Sequence, residues 1–370
     1  MKVLGGISAQ AFLNRYWQKS PYLVRQAFAG IPAPIDGDDL AGLATEADVE
    51  SRLVTANSWQ LRHGPFFEDD FAQLPEQDWT LLVQAVDQWI PEVAELFEHF
   101  RFLPAWRLDD IMVSYAAPGG GVGPHFDQYD VFLIQMEGKR EWRIGQDCTE
   151  NDDCREDTEL SILSEFHEQE RWVLEPGDML YIPPGVAHWG TALTPGLTFS
   201  IGFRAPSTAE VLTDFSHYLA DKSSEFERYQ DADLKERQKP FALMPADIDR
   251  VQQMLQEVAG DRTTIAQWFG RYMTEPKYDR PVPEEPLFSQ QELVMELERH
   301  ALHRNLASRL AYVPGTLFIN GEALDTTLPE QDLEWLCQQK ILSSNLPDSK
   351  ALLALLTELV NRDAFYFDEP

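Results

Sequence analysis

The sequence predicts a mainly β jelly roll, that is, a double-stranded β-helix. A helical segment and a small winged-helix-like α+β domain are predicted to follow it. Three observations carry this. Between residues 111 and 203, short apolar runs alternate with Gly/Pro turns at close intervals. After Pro206 the apolar residues switch to helical spacing. After 289, helical stretches flank a hairpin-like pair. The expected division is 1–205, 206–274 and 287–370.

The chain has 370 residues, 44% hydrophobic and 11% aromatic, enough for several buried cores. No stretch approaches the ~20 apolar residues that span a bilayer. The N-terminus lacks the basic flank and apolar core of a secretion signal. Three cysteines, Cys148, Cys154 and Cys337, make an odd count, so reduced thiols and a cytoplasmic location are expected. Cys148 and Cys154 lie in a polar, acidic loop, which disfavours a pair between them. With 62 acidic and 30 basic residues the net charge is −32. Nucleic-acid affinity needs the opposite sign, whereas a basic protein partner suits this one.

Element by element, residues 8–19 read as an amphipathic helix with Phe12, Leu13, Tyr16 and Trp17 on one stripe, packed as a lid on the barrel. Asp38 to Ala44 is a second short helix. Arg52–Thr55 and Ser58–His63 read as strands. Trp79 to Trp89 reads as a helix with the stripe Leu82, Val83, Val86 and Trp89, continuing after Pro91 through Phe100. Residues 111–117 open the barrel. The runs Val131–Met136, Arg140–Ile144, Arg171–Leu174, Met179–Ile182 and Leu197–Phe203 continue it. His63, His99 and His167 are assigned no site. Ser207 to Glu210 is a capping box that starts a helix with Val211, Leu212, Phe215, Tyr218 and Leu219. A second helix follows Pro245, carrying Ile248, Val251, Met254 and Leu255. Four prolines between 275 and 286 mark a linker. Helices at 289–299, 329–340 and 349–361, with the pair Arg309–Val313 and Thr316–Ile319, outline a winged helix. From 282 to 370 there are 15 acidic and 6 basic residues. A DNA-recognition helix is basic, so this module is read as protein-binding or architectural, with no direct DNA contact.

The chemistry centres on Pro118-Gly-Gly-Gly-Val-Gly-Pro-His125-Phe-Asp127. In an extended chain, positions i and i+2 point the same way, so His125 and Asp127 offer an imidazole and a carboxylate to one point. His188, in Pro183-Pro184-Gly185-Val186-Ala187-His188, stands on a returning strand or the loop before it and closes a three-ligand face. Two histidines and one carboxylate with open positions form the facial triad of non-heme Fe(II) oxygenases. His125-x-Asp127 alone is also compatible with a hydrogen-bonded turn. The Gly-rich loop and the turn–strand–turn from Glu175 to His188 favour the metal.

The run from Gly119 to Phe132, with Gly202-Phe-Arg-Ala-Pro after the barrel, resembles the bacterial ribosomal oxygenases among the cupin-type, 2-oxoglutarate-dependent JmjC enzymes. The resemblance implies Fe(II), 2-oxoglutarate and O2 at His125, Asp127 and His188. It implies oxidative decarboxylation of 2-oxoglutarate to succinate and CO2, coupled to hydroxylation at C3 of an arginine in the basic ribosomal protein uL16. It implies a homodimer formed through the helices after Pro206. The position of Arg140 in such enzymes supplies a cation to the distal carboxylate of 2-oxoglutarate, a role a bidentate Arg fork suits. Lys139 and Arg143 have the opposite parity, so only one set faces inward. Ser114, Thr198 and Ser200 are further candidate donors to the co-substrate. Asp109, Asp110 and Asp130 lie near the mouth as candidate partners of a guanidinium. Other readings of the same residues are a metal cupin dioxygenase or isomerase without 2-oxoglutarate, a demethylase, and an acidic, non-catalytic adaptor for ribosomal proteins.

Overall fold

The computed structural model describes residues 2–222, 228–278, 287–347 and 349–367. The chain divides between Ala205 and Pro206 into two compact units.

The first unit is the jelly roll. Its helices α1 (Ala9–Arg15), α2 (Gly37–Leu43), α3 (Glu68–Ala72) and α4 (Pro91–Ala94) are short. Its strands are β1 (Tyr22–Val24), β2 (Ser51–Thr55), β3 (Gln60–His63), β4 (Trp79–Val83), β5 (Leu108–Ala116), β6 (Asp130–Gln135), β7 (Arg140–Asp147), β8 (Glu170–Leu174), β9 (Met179–Ile182), β10 (Val186–Ala192) and β11 (Gly196–Phe203). They form an eight-stranded antiparallel sheet in the order β1-β9-β6-β11-β5-β4-β2-β3 and a three-stranded sheet β10-β7-β8.

Period-2 alternation sorts the side chains of the large sheet. Val113, Phe132, Ile134, Tyr181, Phe199 and Ile201 face outward and pack under the N-terminal helices. Val131, Leu133, Leu180 and Ile182 face inward, where they meet Trp142, Ile144, Leu174 and Val186. Both faces are buried, so these strands read as continuous apolar runs. The N-terminal helix is the expected lid. Ser8 caps α1 by accepting from Ala11 N at 3.1 Å, and Phe12 lies edge-on to Tyr181 with centroids 5.1 Å apart.

One expected element is corrected. Trp79 to Trp89 is not a helix: β4 ends at Val83, and a 3-10 turn spans Val86–Gln88. Leu81 and Val83 pack outward while Thr80 and Leu82 face the opposite way, pairing with Ala116 and Ser114 on β5. A run buried on both faces loses its polar alternation and mimics a helical stripe. Ala85, at φ 51°, then breaks the strand. Strands β1 and β10 carried no strand assignment of their own in the sequence. The first is three residues long. The second, where His188 was expected on a returning strand or the loop before it, runs unbroken from Val186 to Ala192 with a register shift between Val186 and His188.

The second unit contains α5 (Thr208–Lys222), α6 (Pro245–Ala259), α7 (Arg262–Thr274), α8 (Gln290–Leu297), α9 (Glu330–Gln338) and α10 (Lys350–Val360). Two three-stranded sheets accompany them. One is β16 (Ile341–Leu342), β12 (Leu302–Arg304), β17 (Phe365–Phe367), and the other is β13 (Leu310–Val313), β14 (Thr316–Ile319), β15 (Glu322–Asp325). Leucines from α8, α9 and α10 form its core. Helix α7 was not expected from the sequence. Gly270 brings it against the ring of Phe318 on β14, and Trp268 Nε1 donates to Asp214 on α5 at 2.6 Å. Most of the expected linker, 279–286, lies outside the described residues.

Candidate active site

His125 is held by backbone before any metal is considered. His125 N donates to His188 O at 3.0 Å, and His188 N donates to His125 O at 2.8 Å. This isolated antiparallel bridge joins the glycine-rich loop to β10. Gly185 N donates to Asp127 O at 2.8 Å and ties down the third residue. His125 and Asp127 therefore lie on an ordered loop rather than a strand, and the bridge supplies the shared orientation that strand parity was expected to give. The glycines make the approach possible. A Cβ on Gly121 would meet the backbone carbonyl of Gly190, and Gly123, at φ +83°, lies under Ile162.

The ligand atoms of His125, Asp127 and His188 all lie within 4.8 Å of one another, and His188 Nε2 is 3.6 Å from Asp127 Oδ2. The Nδ1 of each histidine has a backbone carbonyl within reach, Gly123 O at 3.0 Å and Val186 O at 2.9 Å. With Nδ1–H donating there, each Nε2 lone pair is presented inward, as a metal requires. Burial lowers the pKa of His188 to about 4, and the neighbouring His125 pushes the same way. The ring is neutral at physiological pH and ready to bind a cation. Two imidazoles and one carboxylate suit a divalent first-row metal, and Fe(II) fits this donor set.

Beside the triad lies Arg140, 4% exposed. It faces the interior. The opposite-parity residues face out: Lys139 pairs with Glu175 at 2.6 Å, and Arg143 pairs with Glu141 at 2.9 Å while stacking on Trp189. Arg140 Nη1 reaches Ser114 Oγ at 3.3 Å and Thr198 Oγ1 at 3.5 Å, and Nη2 reaches Gly190 O at 3.4 Å. Among the described residues no carboxylate pairs with it, and its Nε has no partner. Burial lowers its pKa to about 10, so it stays charged. A buried cation without a counterion is costly, and a bound carboxylate removes that cost. The pocket thus fits 2-oxoglutarate by its unsatisfied donors.

Of the hydroxyls expected there, Ser114 and Thr198 converge on Arg140. Ser200 shares their face two residues further along β11, opposite Met112. The sequence reading missed Gln135, whose Oε1 accepts from Thr198 Oγ1 at 2.9 Å. That bond turns the lone pairs of Thr198 toward Arg140. A polar residue inside an otherwise apolar strand was the available signal.

The acidic residues near the mouth separate. Asp130 is wholly buried and does not face a substrate, contrary to expectation. It accepts from Tyr181 Oη at 2.6 Å, Gln18 Nε2 at 3.0 Å and Arg107 Nη2 at 3.1 Å. Asp109 pairs with Arg204 at 3.1 Å. Asp110 accepts from Gln84 Nε2 at 2.7 Å and Ala85 N at 3.1 Å. Part of the Tyr129 ring is exposed, while its hydroxyl bonds to Asp127. Burial, then Asp127, Asp110 and Asp109, hold that hydroxyl protonated far above its usual range.

A jelly roll that carries a two-histidine, one-carboxylate face beside a buried guanidinium with no protein carboxylate defines a JmjC-type oxygenase. Residues 95–211 match the JmjC domain family, and residues 253–366 match the ROXA-like winged helix. The chain is 38% identical over 372 residues to the Escherichia coli ribosomal protein uL16 3-hydroxylase, covering 96% of this chain and 97% of that one. It is 41% identical over 214 residues to a probable ribosomal oxygenase of Haemophilus influenzae, covering 57% of this chain and 53% of that one. The structure of the E. coli ribosomal oxygenase YcfD in complex with cobalt and 2-oxoglutarate superposes with a TM-score of 0.88 at 36% identity, over 98% of this chain and 99% of the other. The chain belongs to the JmjC ribosomal oxygenase family.

Proposed function

We propose that this protein is an Fe(II)- and 2-oxoglutarate-dependent hydroxylase acting on C3 of an arginine in a uL16-like ribosomal protein. The observation that carries the reading is one barrel interior holding a three-ligand metal face and, beside it, a buried arginine that lacks a carboxylate. His125, Asp127 and His188 would hold the iron. Arg140, assisted by Ser114 and Thr198, would hold the distal carboxylate of 2-oxoglutarate, and Ser200 lines the same wall. Bound iron, 2-oxoglutarate and O2 together supply the oxidant for an unactivated C–H bond.

The chain's own residues bind, orient and exclude water. The backbone bridge between His125 and His188 presets the ligand spacing. Leu133, Ile144, Leu180 and Ile182 wall the interior with apolar surface. For the substrate guanidinium, the partly exposed Tyr129 ring is the best placed group, with Asp110, buried and bonded to Gln84 and Ala85, adding negative charge behind it. Both border Gly202, where an added Cβ would sit 3.7 Å from Asp110 Oδ1 and 3.8 Å from the Tyr129 ring. The net charge of −32 attracts a basic ribosomal protein.

The unit after Pro206 supports self-association. Helix α6 exposes Ile248, Val251, Met254 and Leu255, the last at 66%, and Leu243 and Phe241 just before it are also exposed. This face suits a second copy of the chain, with 206–274 as the self-associating segment, 1–205 as the catalytic part and 287–370 as the winged-helix part. Among the described residues no helix is long and apolar enough to cross a membrane. A ribosomal substrate is consistent with a cytoplasmic location.

The deciding experiment incubates the protein with Fe(II), 2-oxoglutarate, ascorbate and a uL16 fragment. The expected product is the fragment carrying one added oxygen atom on an arginine, with succinate formed in equal amount. Binding of ribosomal protein with no succinate and no added oxygen would instead establish the adaptor reading.

A further inference from the structure

Arg140 is not the only unsatisfied donor in the co-substrate pocket. Trp142 follows it by two residues on β7, so both side chains enter the barrel interior. Trp142 is 4% exposed, and its Nε1–H has no acceptor among the described residues. The guanidinium carbon of Arg140 lies over the indole, 4.9 Å from the ring centroid. Gly190, the partner of Trp142 on β10, makes room for this stack. A Cβ there would come within 2.6 Å of Arg140 Nε and 2.8 Å of the indole.

A buried N–H without an acceptor costs its full desolvation. Here two such donors, Arg140 Nε and Trp142 Nε1, belong to side chains stacked on each other. A phenylalanine at 142 would offer the same ring face with no orphan. The indole nitrogen therefore calls for an acceptor delivered from outside the chain, and a carboxylate already required by Arg140 is the economical one.

We propose that Trp142 is a second co-substrate-binding residue, its ring face orienting the Arg140 guanidinium and its indole N–H donating to the acid that Arg140 holds. The inference rests on the reading of Arg140 as the anchor for 2-oxoglutarate.

The test is calorimetric titration of 2-oxoglutarate into Mn(II)-loaded protein without oxygen, compared with 2-oxobutyrate, which lacks the distal carboxylate. Trp142→Phe keeps the ring face and loses the N–H. It is expected to weaken 2-oxoglutarate about 10-fold, the loss of one hydrogen bond to a charged group, while 2-oxobutyrate and Mn(II) bind as before. Trp142→Leu removes the face as well and is expected to weaken 2-oxoglutarate further. In turnover, KM for 2-oxoglutarate rises with the dissociation constant, and kcat at saturation stays within about twofold. Gly190→Ala, whose Cβ crowds both Arg140 Nε and the benzo edge of the indole from β10, is expected to give a selective loss of 2-oxoglutarate and serves as the second variant if Trp142→Phe folds poorly. Wild-type affinity in Trp142→Phe, or equal weakening of both acids, overturns the proposal. Failure of the wild-type protein to bind 2-oxoglutarate would sink the Arg140 assignment itself, and the role of Trp142 with it.

Discussion

His188 carries an imidazole into a dry interior, and this has a consequence for acid stability. Its pKa is near 4 in the folded chain against about 6.5 when unfolded. Between these values the unfolded chain binds more protons, so stability falls as pH drops from 6.5 toward 4. For the metal-free protein the loss is about 2 kcal/mol at pH 5 and about 3 kcal/mol below pH 4. Urea unfolding at pH 7 and pH 5 measures it, and His188→Gln should flatten this part of the profile. The same variant should lose metal affinity by at least about 100-fold, read by Mn(II) titration. Arg140 gives a separate signature. Arg140→Met should raise KM for 2-oxoglutarate at least about 100-fold by removing a two-pronged charged contact, with the metal still bound. Arg140→Lys should fall between, because a point charge replaces a fork.

At the scale of elements, the glycine-rich loop is the part that tolerates least. Any side chain at Gly121 is driven into the carbonyl of Gly190, and the loop must shift away from β10. Gly121→Ala is expected to lower stability by about 2 kcal/mol or more and to weaken metal binding, since His125 follows four residues later. Thermal melts with and without Mn(II) report both effects. Much of this architecture was legible in the sequence. Gly and Pro mark where the strands turn, and His125-x-Asp127 with a distant His188 named the triad. Strand parity left open whether Arg140 or the pair Lys139 and Arg143 faces inward; the family resemblance favoured Arg140, and its burial decides the question. What stayed hidden depended on partners far along the chain. β4 looks helical until β2 and β5 are placed on either side of it. The burial of Asp130 depends on Tyr181, Gln18 and Arg107, none of them local. Gln135 and Trp142 become informative only when Thr198 and Gly190 are brought opposite them.

Over the whole molecule, charge and self-association make their own predictions. Substrate capture by a chain of net charge −32 should slow as salt rises. Going from 0.05 to 0.5 M NaCl should reduce kcat/KM for a basic uL16 fragment several-fold, with kcat less affected. The proposed self-association predicts that the wild-type chain runs as a dimer in light scattering, and that Val251→Glu combined with Leu255→Glu, placing two carboxylates on the exposed apolar face of α6, converts it to a monomer. The reciprocal bridge between His125 and His188 also bears on how the enzyme is made. Its two halves are separated by more than sixty residues of chain, including all of β6 to β9. A nascent polypeptide therefore has no competent iron cradle until β10 has left the ribosome and docked. On the proposed ligand set, iron loading follows that docking, and under iron starvation the cell should accumulate a folded, unloaded pool that can be activated without new translation.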